Sequence, residues 1–244
     1  MTITNAQSGT NVFEVADGIY RINTPIDAPD GSQFSFNQYL LLDDEPLLFH
    51  TGGRSLFPLV SAAIAAVMPI ERLRWIGFSH TEADECGSLN QLLAVAPQAV
   101  PLSGHIAAMV STTDMADRAP RVLADGELLH TGRRTLQWFD TPHVPHGWDA
   151  GLLMETTTKT LLCGDLFTQP GYGEQALTEA DILGPSEAFR TPMDYYAHAP
   201  QTKATLLRLA QQSPQTLACM HGSAWRGDGA ALLQALAASV TQAH

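Results

Sequence analysis

Basic side chains, cysteines and long apolar runs are all scarce in this sequence. Its 244 residues include 13 Lys and Arg against 25 Asp and Glu, which gives a net charge of −12. Because phosphate contacts need a basic surface, this balance argues against a nucleic-acid partner. No run reaches the roughly 18 apolar residues that a transmembrane helix needs, so we expect no membrane partner either.

The three cysteines, Cys86, Cys163 and Cys219, form no CxxC pair. An odd number of cysteines without such a pair argues against a disulfide framework or a zinc ribbon. The N-terminal segment Met1 to Gly9 is polar and does not resemble a signal peptide, so a reducing cytoplasm is the expected location. We predict that all three cysteines are small apolar packing residues, with a thiolate ligand role left open for Cys86.

Candidate metal ligands are dense in one short segment. His80, Glu82, Asp84 and Glu85 fall within six residues, between the apolar stretch Leu73 to Phe78 and a predicted helix. Carboxylates crowded beside a histidine repel one another and are costly to hold together unless a cation neutralises them. In an extended loop, the alternating side chains at 80, 82 and 84 can converge from one side. The alternative is a solvated acidic turn after a strand.

Three further candidate ligand residues follow predicted strands later in the chain. His143 lies in a turn that contains prolines, Asp165 follows Cys163-Gly164, and His221 follows the last predicted strand. With the first segment they make seven candidate residues from four segments. That number is sufficient for a site with two metal ions.

Strand-like and helix-like segments alternate along the chain, with hairpins between them and no linker that would divide it. Ser88 with Gln91 three residues later is a capping-box pattern that predicts the start of a helix. Met193 to Gln212 has helical spacing, whereas Gln169 to Pro192 is predicted to be a loop region with some helical character. We expect residues 1–244 to form one α/β (α+β) domain, an αββα sandwich of two mixed β-sheets flanked by helices.

The order, spacing and strand-end placement of the candidate ligands resemble the metallo-β-lactamase superfamily across nearly the whole chain. That superfamily usually shows H-x-H-x-D-H, followed by His, Asp and His. This chain has Glu82 where the second His is usual, and the H-x-E-x-D form looks like that of the flavodiiron proteins and the oxygen-binding diiron proteins. The resemblance implies a metallo-β-lactamase-like fold.

The resemblance also implies which residues bind two metals: His80, Glu82 and His143 the first, Asp84 and His221 the second, and Asp165 both, as a bridge. A carboxylate in place of a histidine makes a site harder and more anionic, which favours iron or manganese over zinc. We therefore expect two iron ions, with Mn or Zn as alternatives.

Two features depart from the family pattern. Glu85 stands where the family usually has His. It could ligate the second metal, accept a hydrogen bond from a bound water, or face solvent at a helix N-terminus. No Gly-rich phosphate loop is present, and the flavodoxin-like domain of the flavodiiron proteins is not expected within residues 1–244. We therefore predict no bound flavin and a separate redox donor protein, and the family resemblance adds a homodimer as an expectation.

Other side chains have weaker claims on the site. His146 is predicted to line the pocket or to contact a ligand residue, and His50 to hydrogen-bond the ligand loops, with a role as metal ligand left open for both. Four aromatic residues follow the candidate ligands by two to seven positions and could form an apolar pocket around a bound diatomic, with ordinary core packing as the alternative: Trp148, Phe167, Tyr172 and Trp225.

Three functions are compatible with this pattern. The first is a non-haem diiron oxidoreductase that binds and reduces O2, NO or a peroxide, with no catalytic residue beyond the metal centre. The second is a dinuclear metallohydrolase of esters, lactones or phosphodiesters. The extra negative charge of Glu82 counts against it, because it weakens the Lewis acidity of the metals. The third is a non-catalytic diiron oxygen sensor.

Overall fold

Two mixed β-sheets lie face to face at the centre of the protein, in a computed structural model that describes residues 1–242 and the side chains up to residue 240. The first sheet has eight strands in chain order: β1 Thr2–Asn5, β2 Thr10–Ala16, β3 Ile19–Asp27, β4 Gln33–Leu41, β5 Leu47–Phe49, β6 Trp75–Gly77, β7 Val100–Gly104 and β8 Arg121–Leu123. Strands β1 to β5 pair antiparallel, and β5 to β8 pair parallel.

The second sheet has seven strands in the spatial order β13-β15-β14-β12-β11-β10-β9. Their bounds are β9 Leu128–His130, β10 Thr135–Asp140, β11 Gly151–Glu155, β12 Thr160–Leu162, β13 Leu177–Thr178, β14 Thr216–Ala218 and β15 Ala224–Arg226. β12 pairs parallel with β14, and β13 with β15, while the other pairs are antiparallel.

Helices cover the outer face of each sheet. They are α1 Phe57–Ala65, α2 Ala83–Cys86, α3 Leu89–Val95, α4 His105–Ala107, α5 Thr113–Met115, α6 Leu183–Met193, α7 Thr202–Ala210 and α8 Gly229–Gln242. A π-helical turn, Ala108–Thr112, joins α4 to α5, and 3-10 turns cover Arg54–Leu56 and Ile70–Arg72. Among the described residues, no helix has the length and apolar character needed to cross a membrane.

Three buried apolar clusters define the layers. One lies between the two sheets and includes Phe49 from the first sheet and Trp138 from the second. A second joins the outer face of the first sheet to α1 and α3, and the third joins the second sheet to α6, α7 and α8. Because both faces of each sheet are covered, central strands such as β11 and β12 are buried along their whole length. The predicted αββα sandwich is confirmed.

Two local predictions differ from the structure. Helix α3 begins after Ser88, but the Ser88 side chain does not cap it, because its hydroxyl donates to the carbonyl of Gly53 at 2.9 Å. The helix predicted over Met193 to Gln212 is wrong in its first half, since α6 ends at Met193, Asp194 after it has a left-handed backbone (φ 49°), and α7 begins only at Thr202. The region predicted to be a loop with some helical character, Gln169 to Pro192, contains most of α6.

Candidate metal centre

The candidate ligands lie in loops that follow four strands. His80 follows β6 of the first sheet, whereas His146 follows β10, Asp165 follows β12 and His221 follows β14, all of the second sheet. Backbone hydrogen bonds join the two sheets at this edge, from Gly151 N to the carbonyl of Ser79 and from Asn37 N to the carbonyl of Met220, each 2.8 Å. The sandwich thus brings segments distant in sequence to a single edge.

Two glycines permit the close approach of these loops. Gly147 has φ +78°, and a Cβ there would lie 3.2 Å from the Cβ of His80. Gly164 has φ +50°, and a Cβ there would lie 2.8 Å from the hydroxyl of Ser79. Any side chain at either position would combine backbone strain with a contact against the His80 segment.

Four residues form a compact group of potential ligand atoms: His80, Glu82, His146 and Asp165. One ligand atom from each lies within 4.8 Å of all the others. Glu82 Oε1 is 3.5 Å from His80 Nε2 and 3.2 Å from His146 Nε2. Asp165 Oδ2 is 3.3 Å from His146 Nε2 and 3.7 Å from His80 Nε2. This set of imidazole nitrogens and carboxylate oxygens suits a divalent metal ion.

Asp165 also faces a second pair of residues. Its other oxygen, Oδ1, is 3.2 Å from His221 Nε2, and the same nitrogen is 3.7 Å from Asp84 Oδ2. The two carboxylate oxygens of Asp165 therefore point to different groups, one with His80, Glu82 and His146 and the other with Asp84 and His221. A carboxylate in this position can bridge two cations.

Hydrogen bonds orient two of the histidines so that their Nε2 atoms face the carboxylates. His221 Nδ1 lies 2.9 Å from the carbonyl oxygen of Ser35, to which it can only donate, and Nε2 is then unprotonated in the neutral ring. His80 Nδ1 lies 3.1 Å from the Ser79 hydroxyl, and within the described residues His80 Nε2 has no hydrogen-bond partner. A buried imidazole held by one nitrogen, with the other free among carboxylates, is the usual arrangement of a metal ligand.

Glu85 lies beneath His80 rather than on its open side. Its carboxylate is fully buried and accepts hydrogen bonds from Ser79 N (2.9 Å), the Ser79 hydroxyl (2.6 Å) and His80 N (2.9 Å). It is also 3.3 Å from His80 Nδ1 and 3.5 Å from His50 Nε2. A solvent-facing Glu85 is therefore contradicted, and the side chain holds the Ser79-His80 backbone in place.

Burial and the excess of carboxylates shift the pKa values at the site. Burial alone would lower the pKa of His80, but Glu85 and the other carboxylates outweigh it and raise the pKa to about 10. Burial raises the pKa of Glu85 to about 7 against the opposing effect of His80. Burial would raise the pKa of Asp165, yet His221 and the other histidines lower it to about 2. Among the described residues, the ion-pair partners of Asp165 are three histidines, His80, His146 and His221.

His146, not His143, enters the four-residue group. His143 has a left-handed backbone (φ 64°), and its N–H donates to the carbonyl of Gly147 at 2.7 Å, which closes a tight loop. The loop is attached to the ligand segment because Thr81 donates to Asp149 through its N–H (3.0 Å) and its hydroxyl (2.6 Å). The four-residue group includes His146 and not the predicted His143, and the spacing in sequence allowed either histidine.

His50 and Cys86 lie under the site. His50 is fully buried, and neither ring nitrogen has a hydrogen-bond partner among the described residues, so the predicted hydrogen bonds to the ligand loops are absent. Burial lowers the pKa of His50 to about 3 and keeps the ring neutral. Burial raises the pKa of the Cys86 thiol to about 12, and its Sγ donates to the carbonyl of Glu82, which disfavours a thiolate ligand.

Of the four aromatic residues predicted to form a pocket, Phe167 packs in the core of the second sheet, as the alternative had it, and Trp148 is half exposed. Tyr172 donates to Asp27, and Trp225 donates to the carbonyl of Ala180. The rings beside the site belong instead to Phe34 and Phe36, whose centroids are 4.4 and 5.4 Å from that of His221, and to Tyr195, 5.9 Å from that of His146. The alternation of Phe34 and Phe36 with buried Ser35 and Asn37 in β4 was a signal that sequence reasoning missed.

Comparison with known proteins adds one family and several related folds. A family model described as ODP family beta lactamase matches residues 34–222. Rubredoxin-oxygen oxidoreductase of Megalodesulfovibrio gigas is 27% identical over an alignment of 202 residues that covers 79% of this chain and 50% of that protein. The chain thus spans about half the length of this curated relative.

Solved structures with the same fold include two from longer chains and one from a protein fragment. The rubredoxin oxygen:oxidoreductase from Desulfovibrio gigas has a TM-score of 0.79 at 21% identity, over 95% of this chain and 62% of that one. A flavodiiron core from Synechocystis has a TM-score of 0.80 at 21% identity, over 96% and 61%. A fragment of a putative diflavin flavoprotein from Nostoc has a TM-score of 0.82 at 17% identity, over 96% of both chains. These matches confirm the metallo-β-lactamase-like fold.

Proposed function

The chain belongs to the ODP family of β-lactamases, and we propose that it is a non-haem diiron oxidoreductase that reduces O2, NO or a peroxide. The observation that carries the proposal is the position of Asp165. Its two oxygens face the His80, Glu82 and His146 group on one side and the Asp84 and His221 pair on the other.

We assign one iron ion to His80, Glu82 and His146, a second to Asp84 and His221, and the bridging role to Asp165. The donors are imidazoles and carboxylates without thiolate, a set that suits two cations of this class, and among the described residues the buried His80 Nε2 has no hydrogen-bond partner. When bound, two ferrous ions would supply one electron each to an oxygen or nitrogen-oxide ligand. Glu85 holds the His80 backbone, and Ser35 and Ser79 orient the imidazoles.

The surroundings favour reduction chemistry over hydrolysis of charged esters. Among the described residues, those that line the cavity beside His221 include no Lys or Arg, so neither of these side chains is available there to hold a phosphodiester. The name of the relative from Megalodesulfovibrio gigas, a rubredoxin-oxygen oxidoreductase, points in the same direction. Electrons would come from a separate donor protein.

Stopped-flow spectroscopy of the iron-loaded protein tests the proposal. The anaerobic diferrous form should develop ferric absorption on mixing with O2, NO or a peroxide and bind two iron ions per chain. The Asp165→Asn variant should lose both ions. Asp181 is an exposed aspartate just before α6, and the control variant Asp181→Asn should keep both ions. Two zinc ions with no ferric absorption after iron loading would contradict the proposal, and an O2 adduct that releases O2 unchanged would indicate a sensor.

A further inference from the structure

An apolar cavity of about 380 Å³ opens beside His221. Its walls come from the loop before β4, from the segment after Asp165 and from the end of α6. The apolar side chains that form it are Ile26, Phe34, Pro170, Phe189, Met193 and Tyr195. Since these belong to three separate segments, the cavity exists only in the folded protein.

Aromatic contacts connect this cavity to the candidate metal centre. Phe189 stacks on Phe34 with centroids 5.7 Å apart, and Phe34 lies 4.4 Å from the ring of His221. On the other wall, the Tyr195 hydroxyl donates to the backbone carbonyl of Asp165 at 3.2 Å. A molecule in the cavity would therefore touch residues that contact both groups of ligands.

The size of the cavity exceeds what a diatomic needs. A water molecule takes up about 30 Å³ in the liquid, so a space of 380 Å³ is an order of magnitude larger than a ligand of that size. Sites that bind organic molecules have volumes of about 300–1,000 Å³ and are mostly apolar with few polar groups. The cavity beside His221 belongs to this class.

The charges around the cavity select a neutral ligand. Asp30 is its one carboxylate, and no Lys or Arg lines it. The net charge of −12 for the whole chain adds to this negative field, whereas the charges of Glu82, Asp84 and Asp165 are offset by the two cations that they would hold. Carboxylate or phosphate groups on a substrate would be repelled from such a site.

We propose that this cavity binds the apolar tail of a neutral organic hydroperoxide, ROOH, and directs its O–O group to the metal-ligand residues. The inference rests on the proposed diiron function and narrows its substrate class. The O–O bond breaks, one oxygen leaves as the alcohol ROH and the other as water. Two protons come from solvent and two electrons from two ferrous ions, each of which is oxidised by one unit.

Binding of the product alcohol tests the cavity apart from redox chemistry. The zinc-loaded protein keeps imidazole and carboxylate ligands in place but has no redox activity. Isothermal titration calorimetry with 2-phenyl-2-propanol should detect binding. Met193→Glu should weaken it about tenfold or more, because it places a charge in the apolar wall of the cavity. Met109→Glu is the matched control, because the exposed fractions of Met109 (59%) and Met193 (60%) are nearly equal and Met109 lies in the π-helical turn, away from the cavity. The Met109→Glu variant should bind the alcohol as tightly as the wild type does.

Kinetics with the diferrous protein test the substrate. The ratio of the rate constants for cumene hydroperoxide and hydrogen peroxide should fall about tenfold or more in Met193→Glu and stay at the wild-type value in Met109→Glu. No binding of the alcohol to the wild type, or equal losses in both variants, would overturn the inference. If O2 oxidises the iron of the loaded protein but the ratio of the two rate constants is unchanged in Met193→Glu, the inference fails and the proposed function stands. If the alcohol binds but neither O2, NO nor any peroxide oxidises the iron, the proposed function fails, and the hydroperoxide assignment fails with it.

Discussion

At the scale of single residues, His143 and His146 lie three positions apart but have different contacts. His146 Nε2 is within 3.3 Å of both Glu82 and Asp165, whereas His143 is outside that group. We therefore expect His146→Ala to lower bound metal at the His80 side of the centre, while His143→Ala binds the wild-type amount. Metal content by elemental analysis after iron loading and desalting checks this. Loss of metal in His143→Ala with full loading in His146→Ala would show that the original assignment of His143 was correct.

Glu85 should act on the metals through the backbone that it holds. Glu85→Ala leaves Ser79 N and His80 N without their buried acceptor, so we expect metal affinity to fall about 10- to 100-fold, as for other residues that orient a ligand. Glu85→Gln keeps one acceptor oxygen and should lose less. Competition with a chelator of known affinity measures the difference. Equal affinities in Glu85→Ala and the wild type would show that the hydrogen bonds of Glu85 do not position His80.

At the scale of an element, the loop after β10 depends on a glycine for its approach to β6. Gly147→Ala places a Cβ 3.2 Å from the Cβ of His80 at φ +78°. Gly126→Ala is the matched control, because its φ is also +78° but the nearest atom lies 4.0 Å away. Both variants should lose about 1–2 kcal/mol of stability from the left-handed backbone. Only Gly147→Ala should also lose metal, and equal metal loading in the two would contradict the role of the close approach.

For the whole molecule, the absence of metal should make stability depend on pH in the alkaline range. The pKa of His80 rises from 6.5 to about 10 on folding, so the folded state holds a proton that the unfolded state releases between these values. This stabilisation is fully present below pH 6.5 and is lost as the pH rises toward 10. We expect the free energy of unfolding of the chelated protein to fall by at least about 1 kcal/mol between pH 7 and pH 9.

Urea unfolding in the presence of a chelator measures this effect, and the metal-loaded protein is the control. With metals bound, His80 is unprotonated throughout, so its contribution to the pH dependence should vanish. A chelated protein whose stability is constant from pH 7 to pH 9 would show that His80 carries no extra proton in the folded state.

Much of the architecture and the chemical class of the site could be predicted from local segments. Strands β6, β12 and β14 are short apolar runs that end next to His80, Asp165 and His221, and this order depends only on neighbouring residues. The boundary between α6 and α7 was missed although Pro200 indicates a break there, and the left-handed backbones of Asp194 and His198 are not visible in composition.

The sequence by itself determined the kinds of ligand and their attachment to strand ends, because side-chain chemistry and periodicity are local properties. Only the tertiary structure decided between His143 and His146, since the choice depends on a turn closed by Gly147 and on contacts with Glu82 and Asp165. It also decided where the buried Glu85 carboxylate points and assembled the cavity from β4, α6 and the loop that holds Tyr195. These features depend on packing between segments that are distant in sequence, and the spacing of residues within one segment does not reveal that packing.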